Sequence, residues 1–274
     1  MAETRATQVI GIASGKGGVG KTAVAANLAL TLSARGNRVM LFDADLGLAN
    51  AQLALGCPSE WNFSHVLSGE RTLSEIVVTT RHGIRLVPGA SGIQELASLG
   101  TLETAGIIGA FGELVEHVDY LIVDVAAGIA DSVITFMQAT PVRFVVVRDE
   151  PSSIADAYGM IKVLGFRHHA GNIFLIPNMV DSQESGRELH RRINAVCRRF
   201  LEIEVGYLHS ITYDHHALDA SRAYQPVAEF APSGNAARDY RSLAQDIETL
   251  AAASEGAGGI RFFFEQIIGS EAGA

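Results

Sequence analysis

The chain has 274 residues, of which 48% are hydrophobic and 28 are glycine, and its formal net charge is -9. This size and composition predict one α/β domain with a large core, and the acidic balance argues against broad attraction to nucleic acid. The two cysteines, Cys57 and Cys197, form no C-x-x-C pair, which argues against a disulfide framework or a cysteine metal site. No stretch has the length and apolarity of a membrane span, and residues 1–8 do not have the pattern of a signal peptide.

The first motif along the chain is a glycine-rich loop. Residues 14–22 (SGKGGVGKT) follow the apolar run 9–13 and precede the helix-forming run 23–30, so they predict a strand, a loop and a helix. The loop matches the phosphate-binding pattern G-x-x-x-x-G-K-[ST], in which backbone N–H groups and a helix N-terminus surround phosphate oxygens. This pattern predicts that Lys21 contacts the β- and γ-phosphates and that the Thr22 hydroxyl ligates Mg²⁺. The predicted nucleotide-binding residues of the loop are Gly15, Lys16, Gly17, Gly18, Val19, Gly20, Lys21 and Thr22.

Two further apolar runs end in carboxylates. Residues 38–42 predict a strand that leads into Asp43 and Asp45, and residues 120–123 predict a strand that ends at Asp124. In open α/β sheets, ligands bind beyond the carboxyl ends of parallel strands. An aspartate in the position of Asp124 is the Walker B pattern, which holds Mg²⁺ beside a phosphate loop.

Strand and helix patterns continue to alternate through the rest of the chain. The further predicted strands are 83–89, 142–147, 173–178 and 204–208, and the further predicted helices are 101–115, 155–164, 183–200 and 235–252. This alternation predicts a doubly wound, mostly parallel sheet with helices on both faces, as in the P-loop NTPases.

Asn178 and the arginines of one predicted helix can each be interpreted in two ways. Asn178, at the end of a predicted strand, can hydrogen-bond a purine edge or serve as a turn residue. The arginines of the helix 183–200 form a basic face that is either solvated or a nucleic-acid site. The histidines are interpreted as surface or capping residues. The arginines concerned are Arg191, Arg192, Arg198 and Arg199.

The last residues have a different composition. Residues 254–259 are a glycine-rich linker, so the chain divides into a domain (1–253), the linker and a C-terminal segment (260–274). Helical spacing places five apolar side chains of that segment on one stripe, which predicts an amphipathic helix that binds a membrane surface. Docking onto the domain itself or onto a protein partner are the alternatives. The stripe consists of Ile260, Phe263, Phe264, Ile267 and Ile268.

The phosphate loop contains a second lysine, Lys16, which indicates a particular class of P-loop ATPase. The sequence KGGVGKT resembles the deviant Walker A ATPases, whose members include the cell-division protein MinD, the ParA partition proteins and the flagellar regulator FlhG, also called FleN. The stretches 43–50, 63–73, 149–158 and 177–180 are most similar to FlhG, and the resemblance extends from residue 8 to residue 250.

The resemblance implies a nucleotide-gated switch that regulates the number or placement of flagella. An ATP-bound homodimer at the inner face of the cytoplasmic membrane would alternate with a cytoplasmic ADP-bound monomer, with slow hydrolysis and with ATP and Mg²⁺ as cofactors. Lys16 would reach the nucleotide of the partner subunit, and Lys21 would contact phosphate. Asp45 would position or activate the attacking water. The other implied site residues are Asp43 and Asp124 for Mg²⁺, Glu150 for nucleotide across the dimer, and Asn178 for adenine.

Partners implied by the resemblance are an FlhF-type GTPase, a flagellar transcription activator or a C-ring protein, with no sequence-specific nucleic acid. Two departures from FlhG stand out: residues 1–8 are shorter than the extension that stimulates FlhF, and Thr212 replaces the proline common before Tyr213 and Asp214. The alternatives are a ParA-like DNA-partitioning ATPase, a MinD-like division-site regulator, and a binding module that restrains an activator while hydrolysing little ATP.

Overall fold

The computed structural model describes residues 7–45, 49–89, 118–167 and 170–253. The helix expected at 101–115, the linker 254–259 and the C-terminal segment with its apolar stripe lie outside the described residues. None of the described helices is both long and apolar enough to cross a bilayer.

The described residues form alternating strands and helices. The strands are β1 (Gln8–Ser14), β2 (Val39–Ala44), β3 (Val78–Thr79), β4 (Arg85–Val87), β5 (Tyr120–Ala127), β6 (Val142–Val147), β7 (Ile173–Val180), β8 (Gly206–Tyr207) and β9 (Ile211–Thr212). The α-helices are α1 (Lys21–Ala34), α2 (Ala51–Ala54), α3 (Phe63–Leu67), α4 (Leu73–Ile76), α5 (Asp131–Ala139), α6 (Pro151–Ile161), α7 (Gln183–Leu201), α8 (His216–Arg222), α9 (Val227–Phe230) and α10 (Asn235–Ala253). A π-helical turn, Lys162–Arg167, continues α6.

One sheet organises these elements, with the strand order β3-β4-β2-β5-β1-β6-β7-β8 and with β9 also paired to β7. The pairs are parallel except for β3 with β4. The mostly parallel sheet expected from the sequence is therefore confirmed. Five adjacent strands run in the same direction, so their carboxyl ends lie along a single edge of the sheet. These strands are β2, β5, β1, β6 and β7.

Both faces of the sheet are buried, because adjacent residues of its strands point to opposite sides. Val9 of β1 belongs to an apolar cluster with α5, α6 and α7, whereas Ile10 belongs to a second cluster with α1 and α10. Both side chains are almost completely buried. The predicted arrangement of helices on both faces is thus observed.

The boundaries of several elements differ from the expectation. The strand expected at 204–208 contains only the two residues of β8, and the strand expected to end at Asp124 continues to Ala127. The helix expected from residue 155 begins at Pro151, since proline at the first helical position lacks an N–H that would be unpaired there anyway. The strand expected at 83–89 contains only the three residues of β4. The elements β3, β9, α2, α5, α8 and α9 were not predicted. All of them except the nine-residue α5 have two to seven residues, which is too short to show a recognisable periodicity.

Candidate nucleotide-binding site

The loop between β1 and α1 is held tightly on two sides. A Cβ atom on Gly15 would lie 2.3 Å from the backbone carbon of Asp156 in α6, and one on Gly20 would lie 2.4 Å from Asn178 Nδ2. Gly20 also has φ 90°, a left-handed conformation that glycine adopts without strain. These glycines are therefore required by the fold of the loop as well as by an approaching phosphate.

Asn178, at the carboxyl end of β7, supports the loop from the side of the sheet. Its Nδ2 donates to the carbonyl of Val19 at 2.8 Å, and its Oδ1 accepts from the N–H of Met179. The side chain is buried. The structure thus places this predicted adenine contact against the phosphate loop and at the wall of a neighbouring cavity.

Lys21 and three carboxylates meet at the carboxyl ends of β2 and β5. Lys21 Nζ donates to Asp124 Oδ1 at 2.6 Å and lies 4.0 Å from Asp45 Oδ2. Asp43 Oδ2 accepts from the N–H of Ala51 at 2.9 Å, and its Oδ1 accepts from the N–H of Asp45. The strand pairing of Asp43 with Asp124 explains why residues so far apart in sequence converge.

The electrostatics of this cluster favour an added positive charge. Burial raises the pKa of Asp124, and Lys21 opposes that rise. The pKa of Asp43 is raised to about 7, first by burial and then by the negative charge of Asp124. Three acids therefore lie near the ammonium of Lys21, and a bound cation would favour the ionised forms of the carboxylates.

The donor set fits Mg²⁺ because it consists of oxygen atoms. Asp124 Oδ2 is buried and, among the described residues, has no partner with normal hydrogen-bond geometry, although the nearby Thr22 hydroxyl helps to lower the pKa of Asp124. The Thr22 hydroxyl adjoins Lys21 Nζ at 3.4 Å. A buried carboxylate oxygen without a partner is costly in a protein interior, and a hydrated metal ion would supply that partner.

Lys16 lies at the open rim of the site, with 41% of its side chain exposed. Its Nζ donates to Ser152 Oγ at 2.8 Å and lies 3.6 Å from Glu150 Oε2. Arg148 binds the other oxygen of Glu150 at 3.1 Å. The two residues that the resemblance assigns to the dimer interface are therefore paired with each other within one chain, at the surface.

A cavity of about 360 Å³ adjoins the phosphate loop, a volume in the range of small-molecule sites. It lies between α1, α2, the end of β7 and the segment from β9 to α9. Its lining is largely apolar and includes Ala23, Leu53, Met179 and Tyr213, with Thr22 at the side of the phosphate loop. This cavity could not be predicted from the sequence, because part of its wall comes from α2 and from the segment between β9 and α9, which were not predicted.

Two other groups of polar residues have partners on the surface. Arg191 pairs with Glu184 and Glu188, and Arg192 pairs with Asp149, so half of the basic face of α7 is neutralised locally. This pairing favours a solvated face over a nucleic-acid site.

Asp214, His215 and His216 are the second polar group, and they bring potential metal-ligand atoms within 4.8 Å of one another. The sequence interpretation had found no such grouping with an acid. However, both oxygens of Asp214 already accept hydrogen bonds, from His216 and from the N–H of Ala236. Asp214 therefore caps the starts of α8 and α10.

A parallel sheet, a glycine loop with its lysine, and an aspartate at the end of the adjacent strand define a P-loop nucleoside triphosphatase. The family model described as ParA, NUBPL iron-transfer P-loop NTPase, matches residues 5–248. The chain belongs to this ParA/MinD family of P-loop NTPases. Cys57 and Cys197 lie in the two separate core clusters on opposite faces of the sheet, so they do not form a ligand pair within one chain.

The chain is similar in sequence to flagellar regulators among its curated relatives. It is 38% identical to the antiactivator FleN of Pseudomonas aeruginosa, over 98% of this chain and 96% of FleN. It is 36% identical to the flagellum site-determining protein YlxH of Helicobacter pylori, over 75% of this chain and 69% of YlxH. The resemblance to FlhG, which is also called FleN, is thereby confirmed.

Solved structures share the fold. MinD of Pyrococcus horikoshii in complex with Mg-ADP has a TM-score of 0.73 and 23% identity, over 90% of this chain and 98% of that one. The MinC:MinD cell division complex of Aquifex aeolicus gives a TM-score of 0.71 and 24% identity, over 89% of this chain and 96% of that one. These similarities confirm the architecture.

Proposed function

We propose that this protein is an ATP-hydrolysing dimerisation switch of the FlhG type that regulates the number or placement of flagella. The 38% identity to FleN over 98% of the chain carries the proposal. The exposed Lys16 beside Glu150, at the open edge of a site that contains Lys21 and three acids, supports it from the structure.

In the proposed chemistry, the loop N–H groups and Lys21 bind the phosphates of ATP. Thr22, Asp43 and Asp124 hold Mg²⁺ and its water shell, and the ion supplies positive charge that stabilises the transferring phosphoryl group. Asp45 has 22% of its side chain exposed, next to Lys21, and it positions or activates the attacking water.

Dimerisation uses the residues at the rim of the site. Lys16 leaves Ser152 and Glu150 of its own chain and reaches the nucleotide of the partner subunit, where its charge stabilises the transition state. Glu150 contacts nucleotide across the same interface, and Asn178 contacts adenine. Hydrolysis removes the γ-phosphate that holds the subunits together, so a slow turnover rate acts as a timer.

The cellular cycle follows from the proposed domains. Residues 1–253 form the ATPase domain, residues 254–259 a linker, and residues 260–274 a membrane-targeting helix and tail. One short helix binds a bilayer weakly, so the two tails of a dimer bind much more strongly than the single tail of a monomer. The dimer therefore locates to the inner face of the cytoplasmic membrane and the monomer to the cytoplasm.

The proposed partners are proteins of the flagellar system. The similarity to FleN, an antiactivator, supports a flagellar transcription activator as the first partner to test. An FlhF-type GTPase and a C-ring protein are the other two.

Sedimentation velocity tests the switch directly. With a non-hydrolysable ATP analogue and Mg²⁺, the wild type is expected to sediment as a dimer, and with ADP as a monomer. Lys16→Gln is expected to bind ATP and stay monomeric. Lys162→Gln is the matched control, because Lys162 is exposed on the π-helical turn after α6, away from the loop. Monomeric wild type at saturating nucleotide, or dimeric Lys16→Gln, would contradict the proposal.

Vesicle sedimentation tests the membrane cycle. The full chain and a chain ending at Glu255 are mixed with vesicles that contain an anionic lipid, with ATP, ADP or no nucleotide. We expect pelleting of the full chain with ATP and its loss on truncation. Pelleting that survives truncation, or that is equal in all three conditions, contradicts a tail-dependent switch.

A further inference from the structure

A four-residue segment, 211–214, forms one wall of the cavity beside the phosphate loop. It begins with β9, which has only two residues, and it pairs with β7 through Asn178 and Val180 with an irregular register. A ladder this short does not fix a chain segment by itself. Other contacts must therefore hold this wall in place.

Asp239 of α10 holds Thr212, while Tyr213 donates its backbone N–H to the carbonyl of Val180 and Asp214 accepts from His216 and Ala236. Asp239 uses both carboxylate oxygens. Its Oδ2 accepts from the backbone N–H of Thr212 at 2.8 Å and also from the Thr212 hydroxyl. Its Oδ1 accepts from Gln183 Nε2 at 2.8 Å, and the same amide nitrogen donates to the carbonyl of Ser210. One carboxylate thus ties the wall to the starts of two long helices, α7 and α10.

The position of Asp239 makes these hydrogen bonds strong. Its side chain is only 12% exposed, and hydrogen bonds to a charged acceptor are stronger than those between neutral groups. Next to Asp239, Tyr240 is buried and lines the same cavity. The wall, its support and the helix that carries the support therefore form one packed unit.

We propose that Asp239 is a positioning residue for nucleobase recognition: through Thr212 it holds the cavity wall in the conformation that receives the base. The proposal rests on the proposed binding of ATP at this site, with the base in the cavity. Asp239 itself is not part of the phosphate loop and does not line the cavity. Its loss should therefore weaken the part of nucleotide affinity that depends on the base and leave the part that depends on the phosphates.

Competition binding separates these two parts. Fluorescent ATP analogue bound to the full chain with Mg²⁺ is displaced by ATP, or by inorganic tripolyphosphate, which has no base. In Asp239→Asn, an amide group replaces one acceptor oxygen and the side chain loses its charge, so the donors of Thr212 or the amide of Gln183 lose their partner and the remaining hydrogen bonds are weakened. We expect the inhibition constant of ATP to rise about tenfold, which corresponds to about 1.4 kcal/mol, while that of tripolyphosphate changes less than twofold.

The control variant is Asp246→Asn. Asp246 lies on the same helix and faces the same histidine, His209, as Asp239 does, but it has no contact with the wall. It should leave both inhibition constants unchanged. A loss of affinity for ATP and tripolyphosphate by the same factor in Asp239→Asn would show general loosening and overturn the proposal, as would an unchanged affinity for ATP.

Thr212 provides a second test that removes no charge. Thr212→Val deletes the hydroxyl and keeps the backbone N–H, so ATP affinity should fall about threefold, and Thr212→Ser should restore it. Equal affinities in all three proteins would overturn the proposal even if Asp239→Asn does not fold. Failure of the wild type to dimerise with ATP would refute the switch and leave this comparison of ligands intact.

Discussion

Lys21 and Asp124 form a buried ion pair, with 2.6 Å between Lys21 Nζ and Asp124 Oδ1. The phosphate-loop lysine is thus held by a carboxylate in the second half of the adjacent strand, β5, which pairs with β1. If the proposed assignment holds, both groups take new partners when a triphosphate binds with its metal ion: the lysine a phosphate and the carboxylate the metal shell.

Asp124→Asn should therefore separate metal-dependent hydrolysis from folding. We expect the rate of ATP hydrolysis to fall at least about 100-fold, because the site loses a metal-binding charge worth about 2.7 kcal/mol in the transition state. The measurement is phosphate release over a range of Mg²⁺ concentrations. Asp119→Asn is the control, since Asp119 pairs with Arg38 just before β5, far from the site.

The dependence of the hydrolysis rate on Mg²⁺ concentration shows whether the loss of activity in Asp124→Asn comes from weaker metal binding. If Asp124 acts through the metal, the variant needs a higher Mg²⁺ concentration for half-maximal rate. A normal rate in Asp124→Asn, or the same loss in Asp119→Asn, would refute the assignment.

Asp45→Ala should uncouple dimerisation from hydrolysis. Asp45 lies 4.0 Å from Lys21 and is more exposed than Asp43 or Asp124, as a residue that contacts water should be. We expect ATP hydrolysis to fall about 100-fold or more while dimers persist in ATP for as long as sedimentation can follow them. A stable monomer at saturating ATP would count against this role.

Gly15 and Gly17 should differ sharply in their tolerance of a methyl group. A Cβ on Gly15 meets the backbone of α6, whereas no described atom lies within 4 Å of the corresponding position on Gly17. Gly15→Ala should lower the free energy of unfolding by about 1–3 kcal/mol through overpacking, and Gly17→Ala by less than about 0.5 kcal/mol. Denaturant unfolding of both variants without nucleotide measures this, and similar losses would contradict the packing argument.

Asp214 should contribute to stability through its two caps. Asp214→Ala removes acceptors for the N–H groups of His216 and Ala236, so we expect a loss of about 2–3 kcal/mol in the free energy of unfolding at neutral pH. Asp219→Ala is the control, because Asp219 is exposed on α8, one of the two helices that Asp214 caps, and pairs only with Arg222 among the ion pairs of the described residues.

The stabilisation by Asp214 should depend on pH in a defined direction. Burial opposes its ionisation, but hydrogen bonds from His216 and Ala236 outweigh burial and hold the pKa of Asp214 below its usual value. A carboxyl whose pKa is lower in the folded state stabilises the protein above about pH 4 and loses that effect as the pH falls further. The difference in the free energy of unfolding between wild type and Asp214→Ala should therefore shrink as the pH falls. A difference that grows on acidification would refute this role of the Asp214 carboxylate.

Long elements and local motifs could be predicted from the sequence. The apolar runs around Ile122 and Val145 are buried on both faces and read plainly as strands of a parallel sheet. The phosphate loop has a fixed spacing, so Lys21 and Thr22 were recognisable before any contact was known. The carboxylates could also be predicted, because Asp43, Asp45 and Asp124 follow apolar runs at the carboxyl ends of predicted parallel strands.

Residues that act through the packing of distant segments could not be found in this way. Ser152 was part of a recognised segment, yet only the structure shows that its hydroxyl accepts from Lys16. Asp239 lies in a predicted helix, where one carboxylate has no pattern that distinguishes it from a solvated one. Its role depends on Thr212 and Gln183, which reach it from separate elements.

The strands at the edges of the sheet limit how this protein can assemble. At one edge, the sheet ends in β3, which has two residues and runs antiparallel; at the other, β8 and β9 cover β7 with two residues each. Strands this short offer few free backbone groups to another chain. Among the described residues, no long strand is therefore available for growth of a continuous intermolecular sheet, and orderly self-association has to depend on side chains and ligands, which can be reversed.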